Sequence, residues 1–160
     1  MPEVYVAAGS SVAPERALAC AVAKLEREFA GVRFSSWYRN APADGSGPYF
    51  INLVAGFTTT LPPRELQARL RAIESYCGRV RGKDSGAPPP LDLDLLMYGD
   101  LVCMEPGLTV PRPELLVRAY MLGPLAELAP ELMHPTAHRS IGELWRAYDQ
   151  GRHPLERLRL

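Results

Sequence analysis

The stretch at residues 91–98, Leu-Asp-Leu-Asp-Leu-Leu-Met-Tyr, constrains the fold more than any other part of the chain. Its alternation predicts a β-strand, because successive side chains of a strand point to opposite faces. The leucines then enter a core, while Asp92 and Asp94 lie side by side on the other face. Carboxylates this close repel each other, and a divalent cation such as Mg²⁺ relieves that repulsion. A metal site and a solvated strand face are both compatible with this spacing.

Other strands and helices alternate along the 160 residues. β-Rich runs are interleaved with segments whose apolar residues recur at helical spacing behind a proline. The predicted strands are residues 4–8, 32–38, 50–59 and 91–98, with helices starting at Pro14 and Pro62. The order β-α-β-β-α-β predicts an α+β fold. We expect a ferredoxin-like antiparallel sheet with helices on one face and a final helix packed on afterwards, in a single domain spanning residues 1–160.

The C-terminal third is predicted to be helical in pieces. Residues 114–128 have helical character, but Gly123 and Pro124 predict an interruption. A last helix is expected after Ser140, because Glu143 three residues later completes a capping box. A short strand pair is expected between residues 101 and 110.

Composition excludes several classes of protein. Basic and acidic residues number 18 each, so no net charge draws the chain to nucleic acid or to an anionic membrane. No export signal or membrane-length apolar run is present, which favours a cytoplasmic protein. We expect a monomer. The odd cysteine count, three, favours reduced thiols over a disulfide framework. His134 and His138 have a metal-pair spacing, but Pro135 lies between them, so surface positions are favoured.

Arginines near the acidic strand suggest a phosphate ligand. Arg79 and Arg81 precede a Gly/Pro-rich segment at 82–90 that predicts an irregular loop, and Arg112 and Arg118 follow the strand. Guanidinium groups suit polyphosphate, although each arginine taken alone is more often a solvated surface charge. The chain contains no P-loop sequence. A carboxylate pair with several arginines matches the requirements of phosphoryl transfer.

Several motifs, in order along nearly the whole chain, resemble the 6-hydroxymethyl-7,8-dihydropterin pyrophosphokinase family. They are VYVAAGSS (4–11), SSWYR (35–39), YFINLV (49–54), IESYCGRVR (73–81), LDLDLLMYG (91–99), LTVP (108–111) and RAYMLGPLAELAPEL (118–132). The LDLDLLMYG stretch with the upstream GRVR is the most specific of these. The resemblance implies a ferredoxin-like fold and transfer of pyrophosphate from ATP to the pterin hydroxymethyl group in folate biosynthesis.

The resemblance also implies a role for each matching residue. Asp92 and Asp94 would hold two Mg²⁺ ions. The pterin ring would lie between two aromatic residues and bond to an asparagine, at Phe50, Tyr120 and Asn52. The family's arginines and its nucleotide-binding positions match Arg79, Arg81, Arg118, Glu74, Thr109 and Arg112.

The chain departs from the family's pattern in the segment before the acidic strand. Ser85 and Pro89 stand where the family has arginines, Ser11 replaces an asparagine, and Arg112 stands where a histidine is usual. Each lost phosphate contact lowers turnover, and Lys83 and Arg112 are the residues that can compensate. Three alternatives stay open: a slow enzyme or one for a modified pterin, a pterin- or nucleotide-binding module without turnover, and a ferredoxin-like structural or regulatory domain.

Overall fold

The structure, a computed structural model, describes residues 1–40, 48–78, 90–152 and 154–159. The strands are β1 (Glu3–Ser10), β2 (Arg33–Phe34), β3 (Tyr38–Asn40), β4 (Phe50–Thr58), β5 (Asp92–Tyr98), β6 (Cys103–Glu105), β7 (Leu108–Val110) and β8 (Glu156–Arg157). The helices are α1 (Pro14–Glu28), α2 (Pro63–Tyr76), α3 (Ala119–Leu128) and α4 (Ile141–Ala147), and a 3₁₀ turn covers Pro113–Leu116. The predicted loop at 82–90 lies almost wholly outside the described residues.

The main sheet confirms the ferredoxin-like prediction. Its strands lie in the order β5-β1-β4-β3-β8, with β2 also pairing β4, and every pair among the described residues is antiparallel. The predicted strand at 32–38 forms two short pieces, β2 and β3. β6 and β7 form a separate hairpin, as expected between residues 101 and 110. The long central strands β1 and β4 therefore form the floor on which the other elements pack.

One face of the sheet is an apolar core covered by α1 and α2. Pro14 and Pro63 occupy the first turns of these helices, where the missing N–H leaves no backbone partner unsatisfied. Leu18 and Leu25 of α1 and Leu70 of α2 are completely buried against the sheet. Burial of such side chains stabilises the fold by about 1.5–3 kcal/mol each.

The opposite face also carries helices, so the expectation of helices on one face only is wrong. α3 and α4 cover a second core that contains Val54 of β4, Leu96 of β5 and Leu122 of α3. Alternate residues of the central strands are apolar on this face too, and they exclude water only when covered. Beyond Ala7 and Val54, the next residues on this face are the polar Asp92 of β5 and Asn52 of β4.

α3 continues through Gly123 and Pro124, which contradicts the predicted interruption there; the break instead lies before Ala119. A proline inside a helix removes one hydrogen bond, but Pro124 is buried and the packing of α3 outweighs that loss. Gly123 has a packing role, because a Cβ there would lie 2.8 Å from Leu155 and 3.0 Å from the Trp145 ring.

Two of the three cysteines form a disulfide, so the prediction of reduced thiols is wrong for this pair. Cys20 of α1 and Cys77, which caps the end of α2, have Cα atoms 5.9 Å apart. The two helices lie side by side on one face, which brings together residues separated by 57 positions. The count of cysteines carries no information about that proximity. Cys103 is a free thiol.

The predicted helix after Ser140 is confirmed, whereas the prediction that His134 lies at the surface is wrong. The Ser140 side chain accepts from the Glu143 N–H, and the reciprocal bond completes the capping box of α4. His134 is buried, not a surface residue, and its Nδ1 accepts from the backbone N–H of Ala137 at 3.0 Å. In the described part of the chain, no helix is both long and apolar enough to cross a membrane.

Candidate active site

A row of aligned residues crosses the sheet at the polar end. Asp92 of β5 pairs with Gly9 of β1, Gly9 pairs with Asn52 of β4, and Asn52 pairs with Tyr38 of β3. Directly paired residues point to the same face, so Asp92 and Asn52 project on one side with a glycine between them. Adjacent strands are about 4.8 Å apart, which puts these two residues about 10 Å apart across the floor.

Gly9 has no side chain, so it leaves room on the sheet surface for the Asn52 side chain. A Cβ at position 9 would lie 2.5 Å from the Asn52 side-chain oxygen, so any larger residue would displace the amide. The amide is 6 % exposed and donates to the Asn40 side-chain oxygen. Asn52 is thereby held in one orientation beside Gly9.

Asp94 lies one row further along the same face, opposite Ala7. Burial raises the pKa of its carboxyl to about 6, with the charge of Asp92 contributing in the same direction and Arg112 and Arg71 opposing it. An Arg112 Nη atom lies 3.4 Å from a carboxylate oxygen of Asp94. Arg112 also donates from Nε to Glu114 at 2.8 Å, so it joins the carboxylate pair to the next element.

A cavity of about 330 Å³ is lined by Arg112. It brings together Thr109 and Arg112, two of the predicted nucleotide-binding residues, with Gln67 and Glu114, which sequence reasoning missed. Gln67 donates to the Gly107 carbonyl at 2.9 Å and so ties α2 to the β6–β7 hairpin. Only the position of Gln67 along α2, four residues after Pro63, marks it in the sequence.

The two predicted aromatic residues come from different layers. Phe50 lies two residues before Asn52 on the same face of β4 and is 36 % exposed. Tyr120 lies in the first turn of α3 and is half-buried. Burial raises the pKa of the Tyr120 phenol, the Arg118 charge lowers it, and the Asp94 charge raises it. The charges of Asp94 and Arg118 therefore both act at this ring.

Glu74, predicted to bind the nucleotide, instead contacts the backbone of β5. It is completely buried, and its carboxylate accepts from the Leu93 N–H at 2.7 Å, between the two aspartates. Arg71, which sequence reasoning missed, donates to both Glu74 oxygens at 2.7 Å. Spacing of three along a helix was the one available signal, and it is common on helix surfaces.

The remaining predicted residues are placed less fully. Arg118 is exposed and immediately precedes α3. Arg79 and Arg81 lie outside the described residues, as do Lys83, Ser85 and Pro89. The described residues thus bring together both aspartates, Asn52, Tyr120, Thr109 and Arg112 at one end of the sheet.

Comparison with known proteins decides the family. Residues 5–130 match the family model described as 7,8-dihydro-6-hydroxymethylpterin-pyrophosphokinase (HPPK). The chain belongs to the HPPK family. That match covers β1 through α3, which are the elements that supply every described site residue.

Relatives named 2-amino-4-hydroxy-6-hydroxymethyldihydropteridine pyrophosphokinase support this assignment. The one from Pseudomonas aeruginosa is 41 % identical over 145 residues, covering 88 % of each chain. The one from Synechocystis is 40 % identical over 112 residues, which cover 70 % of this chain and 57 % of the relative. The matched region thus spans little more than half of the Synechocystis protein and most of the Pseudomonas one.

Solved structures share the HPPK fold at low sequence identity. Plasmodium falciparum HPPK-DHPS matches with a TM-score of 0.74 and 12 % identity, covering 92 % of this chain and 44 % of that one. A structure of HPPK-DHPS in complex with substrates gives a TM-score of 0.76 at 12 % identity over 94 % of this chain. These matches show that the chain has the fold of the HPPK part of those longer proteins.

The HPPK resemblance implies Mg²⁺, and the donor set fits that ion. Asp92 and Asp94 are hard oxygen donors on one face, and burial, together with the Asp92 charge, raises the pKa of Asp94, so a bound cation would stabilise its ionised form. No cluster of three or more His, Cys, Asp or Glu ligands occurs in the ranges that the structure describes. Mg²⁺ commonly binds one or two carboxylates and completes its shell with water and phosphate, so a pair suffices.

Proposed function

We propose that this chain transfers pyrophosphate from ATP to 6-hydroxymethyl-7,8-dihydropterin, giving AMP and the pterin diphosphate in folate biosynthesis. The observation that carries the proposal is the alignment of Asp92 and Asn52 across one face of the sheet, with Asp94 next to them. The aspartates would bind the polyphosphate and Asn52 the pterin, so the two substrates would meet above Gly9. Membership of the HPPK family supports the same reaction.

Asp92 and Asp94 are the residues that would hold Mg²⁺. The resemblance to the family implies that they hold two ions. Bound Mg²⁺ would neutralise the triphosphate and fix its orientation. Arg112 already neutralises part of the Asp94 charge at 3.4 Å, and we propose that it also contacts a phosphate of ATP. Thr109 and Arg112 line the cavity that would take the nucleotide. Arg118, which immediately precedes α3, would supply a further cation.

Asn52, Phe50 and Tyr120 would bind the pterin. The Asn52 amide is fixed by its neighbour Asn40 and presents polar atoms to a ring lying over Gly9. Phe50 from the sheet and Tyr120 from α3 supply flat apolar surfaces from two layers. Arg79 and Arg81 are the residues we propose to contact the transferred phosphates. Glu74 binds the backbone N–H of Leu93, between the two aspartates.

The reaction needs positioning more than acid or base chemistry. The hydroxymethyl oxygen bonds to the β-phosphorus of ATP while the bond from that phosphorus to the α-phosphate oxygen breaks, AMP departs, and the hydroxyl proton is released. Holding both substrates in line converts a bimolecular encounter into a local event and supplies much of the rate. We further propose that the chain acts as a monomeric, single-domain cytoplasmic enzyme without a nucleic acid partner.

AMP formation tests the proposal. Purified protein with ATP, Mg²⁺ and the dihydropterin should form AMP, and the Asp92→Ala, Asp94→Ala double variant should form at least about 10³-fold less. Asp100→Ala removes an exposed acid just beyond β5 and is the matched control, which should retain activity. Calorimetric binding of pterin without AMP formation would contradict the proposal and favour a binding module or a different pterin. Thermal stability unmoved by pterin, ATP and Mg²⁺ would favour a structural domain.

A further inference from the structure

β5 lies at one edge of the sheet, and α2 side chains bind its backbone at one residue. The Leu93 N–H donates to Glu74 at 2.7 Å, and the Leu93 carbonyl accepts from Arg71 at 3.1 Å. Leu93 is the residue between Asp92 and Asp94. Two side chains thus satisfy the donor and the acceptor that a further strand would satisfy if β5 were not at the edge.

Arg71 and Glu74 also bind each other, which makes the arrangement rigid. One Nη atom of Arg71 lies 2.7 Å from both Glu74 oxygens, while the other Nη reaches the Leu93 carbonyl. The Glu74 side chain is completely buried and the Arg71 side chain is one-third exposed. A carboxylate buried this deeply needs its cation and its N–H donor, so the three groups hold one geometry together.

We propose that Arg71 and Glu74 are positioning residues, which fix the backbone of Leu93 and thereby orient Asp92 and Asp94 toward the bound metal. This inference rests on the proposed metal-binding role of the two aspartates. It assigns a function to Arg71, which no motif singled out, and it gives Glu74 a role in holding β5. A strand residue that rotates carries its neighbours with it, so fixing Leu93 limits the directions of both adjacent side chains.

The expected effect is on metal affinity more than on pterin affinity. Groups that orient metal ligands typically change metal affinity by about 10–100-fold when removed. Asn52 lies on β4, two strands away from β5, and none of its described hydrogen bonds involves α2. Loss of Arg71 should therefore separate the two binding events.

The experiment measures Mn²⁺ binding by electron paramagnetic resonance on the full chain with a non-hydrolysable ATP analogue, and pterin binding by calorimetry. Arg71→Met removes the guanidinium while keeping an apolar stem, and it should weaken Mn²⁺ binding by about 10–100-fold with pterin affinity within about twofold. Arg71→Lys restores the charge without the fork and should recover part of that loss. Arg69→Met is the matched control, because Arg69 lies on the same helix, is half-exposed and contacts only Glu28 at 3.5 Å among its described ion pairs.

An Arg71→Met protein that binds pterin normally and holds Mn²⁺ like the wild type would overturn the inference. If that variant does not fold, Glu74→Gln decides, because glutamine keeps an acceptor for the Leu93 N–H but presents an amide to Arg71; unchanged Mn²⁺ affinity there would also overturn it. Wild-type protein that binds no Mn²⁺ would overturn the inference as well. Wild-type protein that binds Mn²⁺ but forms no AMP would contradict the proposed function alone.

Discussion

The first four residues of β5 have two faces of opposite chemistry. Leu93 and Leu95 are buried in the core under α1 and α2, whereas Asp92 and Asp94 lie partly buried on the other side. The first face excludes water and holds the strand in place. The second face keeps charges that burial disfavours, and it can do so because the first face supplies the stability. Changes on the two faces should therefore affect different measurements.

Leu70→Ala should have the largest effect and should fall entirely on stability. Leu70 of α2 is completely buried in the first core, and leucine-to-alanine changes in such positions cost about 2–5 kcal/mol in the free energy of unfolding. Urea denaturation measures that loss. The KM for pterin, measured well below the melting temperature, should stay within about twofold of the wild type. A large change in KM with little loss of stability would contradict the division between the faces.

Breaking the disulfide should have the next largest effect, again on stability alone. A cross-link that closes a loop of this length typically contributes about 2–4 kcal/mol by restricting the unfolded chain. Cys20→Ser should therefore lower the free energy of unfolding by that amount under oxidising conditions, and dithiothreitol should do the same to the wild type. Cys103→Ser, which leaves the Cys20–Cys77 pair intact, is the control. Equal stability of Cys20→Ser and the oxidised wild type would refute this prediction.

Asp94→Asn, a change on the face that carries the site, should raise the free energy of unfolding while removing activity. The pKa of Asp94 is about 6 in the folded chain against 3.8 ordinarily, so the folded state keeps a proton that the unfolded state loses between these pH values. Wild-type stability from this group therefore falls as pH rises from about 4 to about 6, by up to about 3 kcal/mol.

Urea denaturation in EDTA at two pH values checks the sign. The gain of Asp94→Asn over the wild type should be near zero at about pH 4 and full at about pH 7.5. Added Mg²⁺ with nucleotide should stabilise the wild type more at the higher pH, because the ionised carboxylate is the form that binds cations. An equal gain at both pH values would show that charge is not the cause.

Gly9→Ala should have the smallest effect and should fall on pterin binding. The new methyl group would lie 2.5 Å from the Asn52 side-chain oxygen, which must move. We expect pterin to bind about tenfold more weakly, a change of about 1.4 kcal/mol by calorimetry. Gly151→Ala is the control, since its Cβ would be 3.8 Å from the nearest atom. Unchanged pterin affinity in Gly9→Ala would place the ring elsewhere.

The sequence predicted the parts of the fold that depend on local period. The alternation in β5 and the division of β4 into two faces both follow from neighbouring residues, and the structure confirms them. The capping box at Ser140 is similarly local. Predictions failed where distant packing decides. Pro124 stays inside α3 because that helix is buried, and Cys20 meets Cys77 because α1 and α2 lie side by side.

The candidate site shows the same division. Period two placed Asp92 with Asp94, and the resemblance to a family supplied Asn52 and Tyr120 from other elements. No local pattern could align Asp92 with Asn52 through Gly9, because strand register is a property of three segments at once. Arg71 escaped notice because its partners are a buried acid and a backbone carbonyl, neither of which differs in sequence from a surface ion pair.

The two margins of the sheet are protected in different ways, and this bears on how the protein behaves at high concentration. At one margin the Arg71–Glu74 pair occupies the backbone groups of Leu93; at the other, the edge strand β8 is only two residues long and pairs with β3. Exposed strand edges are templates on which a second chain can add and aggregate. A chain without the Arg71 side chain would therefore leave the edge of β5 open to pairing with a second chain. Concentration-dependent precipitation would appear before any loss of helix content.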